Sequence, residues 1–125
     1  MRRFAAARQP AAPVVRTWQR LIESDGGVSI GSLVGEMSWS QKHLIAQFTD
    51  QMGLTPKVLA RVLRFGRAIK LLKSGSQIPL VETAYACGYY DQSHFSRDFR
   101  AFAGVTPTEL MRCQMPDSGG FSAAR

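Results

Sequence analysis

Gln92, Ser93, Ser96, Arg97 and Arg100 are spaced so that a helix gathers them on one side, within an arc of about 140° at 100° per residue. Their side chains share a chemistry. Arg presents a planar fork that bonds guanine O6 and N7 together, Gln does the same for adenine N6 and N7, and Ser serves as donor or acceptor. Phe95, Phe99 and Phe102 stand at i, i+4 and i+7, the pattern of the face that such a helix buries. A segment built this way anchors itself by aromatic rings, and its outward groups suit the edges of base pairs in a major groove or, alternatively, form an ordinary polar helix surface.

A second segment has the same frame. Leu44 and Phe48 take the buried positions, and Gln41, Lys42, Ile45, Ala46 and Thr49 share the outward face. That face carries one cation where the other carries two, and Ile45 is an apolar residue suited to solvent or to a thymine methyl.

The likeness of the two segments is an internal repeat. Residues 40–61, SQKHLIAQFTDQMGLTPKVLAR, match 91–112, DQSHFSRDFRAFAGVTPTELMR, at eight of 22 positions, including His43/His94, Phe48/Phe99, Gly53/Gly104 and Pro56/Pro107. Chance matching at ordinary composition gives about one or two. Upstream the offset drops from 51 to 50, where Val28/Ile78, Ile30/Leu80, Val34/Ala84 and Met37/Cys87 pair apolar with apolar. The second unit therefore holds one extra residue in the turn before Asp91. Each unit reads as a short helix, a tight turn and a second helix. Ser40 and Asp91 are the expected N-caps, Gly53 and Gly104 suit a left-handed exit, and Thr-Pro then opens the next helix.

These elements require an all-α fold of seven helices. The expected spans are about 13–24, 29–37, 41–52, 56–73, 79–87, 92–103 and 107–114, the first with Val14, Trp18, Leu21 and Ile22 as its apolar stripe. Ser74-Gly75-Ser76 breaks the middle, and no segment sustains the alternation of a strand. The expected organisation is a tail or interdomain linker at 1–12, a first helix-turn-helix subdomain at 13–54, a linker helix at 55–74, a second subdomain at 75–114 and a disordered tail at 115–125.

Charge narrows the partner. The 125 residues carry a formal net charge of +7, from 16 Lys plus Arg against 9 Asp plus Glu. Residues 1–20 hold five arginines and no acid. Lys57, Arg61, Arg64, Arg67, Lys70 and Lys73 follow one another at helical spacing, again without an acid, and the first four fall within about 120° of one helix face. A face without Glu partners for i,i+4 pairing points to a polyanion.

Other chemistries find no constellation. Cys87 and Cys113 lack metal-site spacing, and Cys87 lies on an apolar helix face where burial is its expected state. His43 and His94 hold the same place in two separate units, so no acid–base pair forms. With no nucleophile–base pair, phosphate loop or metal cluster, no enzyme, metal or cofactor is expected. No apolar run reaches the roughly 18 residues of a membrane span, and a reduced cytoplasmic setting is expected.

At these residues the sequence resembles the DNA-binding domain of AraC/XylS-type bacterial transcription regulators. The likeness covers about residues 14–112. It is most specific in ACGYYDQSHFSRDFRAFAGVTP at 86–107, and looser in LVGEMSWSQKHLIAQFTDQMGLTPKVL at 33–59. The resemblance implies two homeodomain-like three-helix subdomains joined by a long linker helix. It places Gln41, Lys42, Ile45, Ala46 and Thr49 in one major groove and Gln92, Ser93, Ser96, Arg97 and Arg100 in the next, about 34 Å along one duplex face. Ser40, Lys57, Arg61, Arg64, Arg67, His94 and Arg112 are then the expected backbone contacts. It also implies a promoter or operator as target, RNA polymerase as a partner, and, in many members, an N-terminal sensor or dimerisation domain.

Three departures from the family pattern stand out. Ser38 replaces a usual Gly in the first turn, which makes that turn less regular. Thr83 replaces a branched apolar residue and weakens the packing expected there. Ala46 and Ile45 replace polar residues, so the 92–103 helix is expected to carry most base discrimination, with the 41–52 helix mainly positioning the domain. The alternative is a basic helical protein-interaction module without sequence-specific DNA binding.

Overall fold

The computed structural model describes residues 9–114 other than Ser76, with the backbone alone for Cys113 and Gln114. The tails at 1–8 and 115–125, with Arg2, Arg3 and Arg8, lie outside the described residues. Within them the chain is all-helical: α1 Ala12–Glu23, α2 Ile30–Val34, α3 Gln41–Met52, α4 Pro56–Lys73, α5 Leu80–Ala86, α6 Gln92–Ala103 and α7 Pro107–Gln114. The chain divides into two compact units between Leu63 and Arg64, inside α4. Among the described residues no helix is long and apolar enough to cross a membrane.

The first unit packs α1 and α2 against α3. Its core is Val14, Leu21, Phe48, Leu59 and Ala60, with Trp18, Trp39 and Leu63 against it. On α1 the buried residues are Val14, Thr17 and Leu21, at i, i+3 and i+7. Ile22 lies one residue, or about 100°, beyond that stripe and is exposed rather than buried. Thr17 takes its place, its hydroxyl donating to the Pro13 carbonyl at 2.9 Å so that no polar group is stranded. α1 also begins earlier than expected: the Ala11 N–H donates to Gln51 Oε1 at 2.9 Å, which ties the chain down on α3.

The second unit packs α6 against α5 and α7. Its core is Ala68, Ala84, Cys87, Tyr89, Phe95, Phe99 and Leu110, with Phe65, Ile69 and Leu72 of α4 against it. Three aromatic contacts organise it. Phe95 meets Phe99 edge-on at 5.7 Å, Phe65 meets Phe99 at 5.2 Å, and Tyr89 lies 5.0 Å from Phe95. Phe102 departs from the expected buried stripe, remaining 38% exposed. It sits one residue from the end of α6, where its ring leans on Phe65 at 5.2 Å with solvent on the other side. Thr83 is fully packed, its hydroxyl directed to the Pro79 carbonyl at 3.3 Å, so the polar replacement does not open a gap.

The turns show how one frame tolerates two sequences. Gly88 enters the α5–α6 turn at φ +91°, a conformation that favours glycine. Ser38 takes no left-handed conformation, and Met37-Ser38-Trp39 is a run of bends instead. α2 stops at Val34, short of the expected residue 37. Gly35 weakens the helix there, and the Glu36 and Met37 N–H groups turn back to the Leu33 and Val34 carbonyls in tight i−3 bonds.

Two outcomes test this packing. Gly26 adopts φ +83°, and a methyl there would collide with the Ala60 carbonyl oxygen of α4; Gly53 adopts φ +87° with open space around it. Gly53→Ala is expected to cost about 1–2 kcal/mol from backbone strain, and Gly26→Ala about 3 kcal/mol from strain plus overpacking, read from urea unfolding midpoints. Glu109 and Thr106 form a reciprocal cap, with the Thr106 N–H donating to Glu109 Oε1 at 2.9 Å and the Glu109 N–H to Thr106 Oγ1 at 3.1 Å. The Thr106 N–H holds the Glu109 carboxyl below its ordinary range, with Arg100 and Arg112 assisting. A depressed folded value means that this stabilisation is complete above about pH 4.3 and is lost as pH falls through the folded pKa. The melting temperature of the native protein therefore falls more steeply between about pH 5 and pH 3 than that of Glu109→Gln.

Candidate nucleic-acid interface

α6 is set by its two ends and its aromatic face. The Asp91 carboxylate accepts from the His94 N–H at 2.8 Å, and Gly104 closes the helix at φ +83°. Phe95 and Phe99 are completely buried, which turns the opposite side outward. Gln92, Ser93, Arg97 and Arg100 are exposed there and Ser96 is half-buried, so all five expected base-reading residues of this unit share one accessible face.

α3 repeats the construction. Ser40 Oγ accepts from the His43 N–H at 3.1 Å, Gly53 ends the helix at φ +87°, and Leu44 and Phe48 are completely buried. Gln41, Lys42 and Ala46 are exposed, with Ile45 and Thr49 half-buried. Gln41, Lys42, Ile45 and Ala46 line an open surface depression. The Thr49 hydroxyl is engaged within the helix, donating to the Ile45 carbonyl at 2.7 Å. The outward face of α3 thus keeps one exposed amide and one exposed cation, beside alkyl groups.

The residues expected at the phosphate backbone divide into two kinds. Lys57, Arg67 and Arg112 are exposed, while Arg61 and Arg64 are half-buried, and Arg61, Arg64 and Arg67 are engaged within the chain. Arg64 lays its guanidinium over the Tyr89 ring, 5.7 Å from the centroid, and so packs across the α5–α6 turn. His94 braces the same turn. Its Nδ1 accepts from the Tyr90 N–H at 3.3 Å, its Nε2 lies 3.9 Å from the buried Asp98 carboxylate, and its ring meets Tyr89 edge-on at 5.1 Å. The Ser40 hydroxyl serves its own helix as cap. Val58 and Val62 of α4 are exposed, while Leu59, Ala60 and Leu63 face the first core.

Of the five arginines within residues 1–20, Arg16 and Arg20 are among the described residues, and both approach an acid. Arg16 pairs with Glu36 at 2.8 Å and Arg20 approaches it at 3.8 Å. The Arg16 hydrogen bond and charge hold the Glu36 carboxyl below its ordinary range. Tyr90 is a candidate that sequence reasoning passed over. It is 83% exposed, directly before the Asp91 cap and beside Gln92 and Ser93, whereas Tyr89 is buried. The pair of tyrosines is the available signal, since one ring suffices to fill the core at that turn. Among the described residues no group of three or more His, Cys, Asp or Glu side chains could hold a metal ion.

A family model described as a helix-turn-helix domain matches residues 33–112, from α2 in the first unit to α7 in the second. RhaS of Escherichia coli, named as an HTH-type transcriptional activator, is 32% identical over 83 residues, which make up 66% of this chain and 30% of that protein. The chain spans between 24% and 32% of the length of such curated relatives. The C-terminal domain of AraT, a response regulator from Geobacillus stearothermophilus, is 25% identical and matches with a TM-score of 0.75 over 87% of this chain and 91% of that one. The DNA-binding domain of AdpA, solved in complex with a target DNA, has a TM-score of 0.72 at 19% identity over 83% and 94% of the two chains, a likeness of fold. Two capped, aromatic-anchored helices in repeated units, within a match that covers both, place the chain in the AraC-type helix-turn-helix family.

Proposed function

We propose that this chain binds double-stranded DNA in a sequence-specific way and regulates transcription in bacteria, with α3 and α6 laid in successive major grooves of one duplex. The observation that carries the reading is the outward face of α6, where Arg97, Arg100, Gln92 and Ser93 are exposed on a helix anchored by two fully buried phenylalanines. In this reading Arg97 and Arg100 bond guanine O6 and N7, Gln92 bonds adenine, and Ser93 and Ser96 take either role. Gln41, Lys42, Ile45, Ala46 and Thr49 face the other groove. Lys57, Arg67 and Arg112 meet phosphates most directly. Arg61, Arg64, Ser40 and His94 contribute chiefly by holding the helices that do.

The family supports the wider parts of the proposal. RhaS is named a transcriptional activator, and the AdpA domain was solved on its DNA. The proposed activity is binding without catalysis or cofactor, in the cytoplasm, at promoters or operators. Contact with RNA polymerase belongs to the same proposal, as does service within a longer regulator that carries an N-terminal sensor or dimerisation domain. Because the two faces differ, the preferred site need not be palindromic.

Selection from random duplexes across a salt series tests this. The expected result is a steep fall of affinity with salt and an asymmetric motif of two elements about 10 bp apart. Arg97→Ala or Arg100→Ala is expected to cost about 1–3 kcal/mol and relax the preference at one position. Lys57→Ala weakens all sequences alike and lowers the salt slope by about 1. Absence of duplex binding at low salt overturns the reading in favour of a protein-interaction module.

A further inference from the structure

The face of α3 has an unusual composition for a groove-facing helix. Of its five outward residues, Ala46 offers only a methyl group and is exposed, and Ile45 offers a branched alkyl chain and is half-buried. Thr49 directs its hydroxyl to the Ile45 carbonyl at 2.7 Å, so its outward contribution is again a methyl. Ile45 and Ala46 line the open depression together with Gln41 and Lys42. The thymine C5-methyl is the apolar group that a base-pair edge offers in the major groove. Against guanine or cytosine, an alkyl face strips water from polar edges without replacing their hydrogen bonds, a net cost. Against thymine it buries methyl on methyl.

We infer that α3 selects its half of the site by the C5-methyl groups of thymine, received in the depression of Ile45 and Ala46, with Lys42 supplying the charge that holds the helix to DNA. The inference rests on the reading of α3 as a groove-facing helix. It gives the first unit a discriminating role of its own, different in kind from the hydrogen-bonding face of α6.

The test begins with the duplex selected by the 125-residue chain. Each thymine is replaced singly by 2′-deoxyuridine, which keeps base pairing and removes only the methyl, and affinity is read by fluorescence anisotropy. At one or more thymines the affinity is expected to fall about fourfold, the worth of one methyl-sized apolar group. That loss disappears in Ile45→Ala. At the same position a 5-methylcytosine·guanine pair binds better than cytosine·guanine, since its methyl occupies the same place in the groove. The inference is overturned if no thymine is sensitive, if the sensitivity persists unchanged in Ile45→Ala, or if 5-methylcytosine gains nothing. Selective duplex binding retained in those cases leaves the regulator reading standing, whereas failure to bind any duplex removes both. The deoxyuridine scan alters the DNA alone, so it holds whether or not Ile45→Ala folds well.

Discussion

Phe95 and Phe99 lie one helical turn apart with no surface left to water, and that burial governs what the second unit can offer a partner. Emptying either site would cost about 3–5 kcal/mol, a large fraction of the stability of so small a unit. A helix advances about 100° per residue, so pinning two positions inward fixes the direction of all the others. Gln92, Ser93, Arg97 and Arg100 face solvent because the rings behind them cannot turn. Leu44 and Phe48 impose the same constraint on α3. The outward faces are consequences of the cores beneath them.

The ends of the helices complete the frame. Ser40 and Asp91 satisfy an N-terminal N–H in each, and Gly53 and Gly104 close both in the left-handed conformation. Such caps consume side chains that composition alone would count as polar surface. The α5–α6 turn consumes more: Arg64 over Tyr89, and His94 between the Tyr90 amide and Asp98, convert a cation and an imidazole into parts of a scaffold. What remains outward differs between the units. α6 presents guanidinium, amide and hydroxyl groups, and α3 presents alkyl groups around one amide and one cation. A duplicated frame with diverged faces suits an asymmetric site in the proposed reading, because the groups that discriminate are not those that hold the fold.

Much of this was legible in the residues. The eight matches between 40–61 and 91–112 include the glycine exits and the Thr-Pro starts, with the capping residues Ser40 and Asp91 equivalent in role, and these are local features with local causes. They place α3, α4, α6 and α7 at their observed bounds. α2 was less legible, since five residues give too little periodicity to outweigh Gly35 and the tight turn that follows. Ile22 and Phe102 were misplaced for a related reason. Apolar type shows that a residue can be buried, but neighbours from other helices decide how far it is, and both side chains keep more than a third of their surface exposed.

The sequence by itself determined the helical frame, its repetition and the chemical character of each outward face, because capping, helix period and side-chain type act within a few residues along the chain. Only the tertiary structure decided which charged and polar groups remain available. Arg16 and Arg20 approach Glu36, Arg64 packs on Tyr89 of the α5–α6 turn, and Thr17 and Thr83 enter cores while bonding carbonyls one turn back. Tyr89 and Tyr90, identical in type and adjacent in sequence, end one inside and one outside. The Glu36 pairs, the Arg64–Tyr89 contact and the cores that enclose Thr17, Thr83 and Tyr89 join segments brought together by folding, and spacing along a single helix does not encode them.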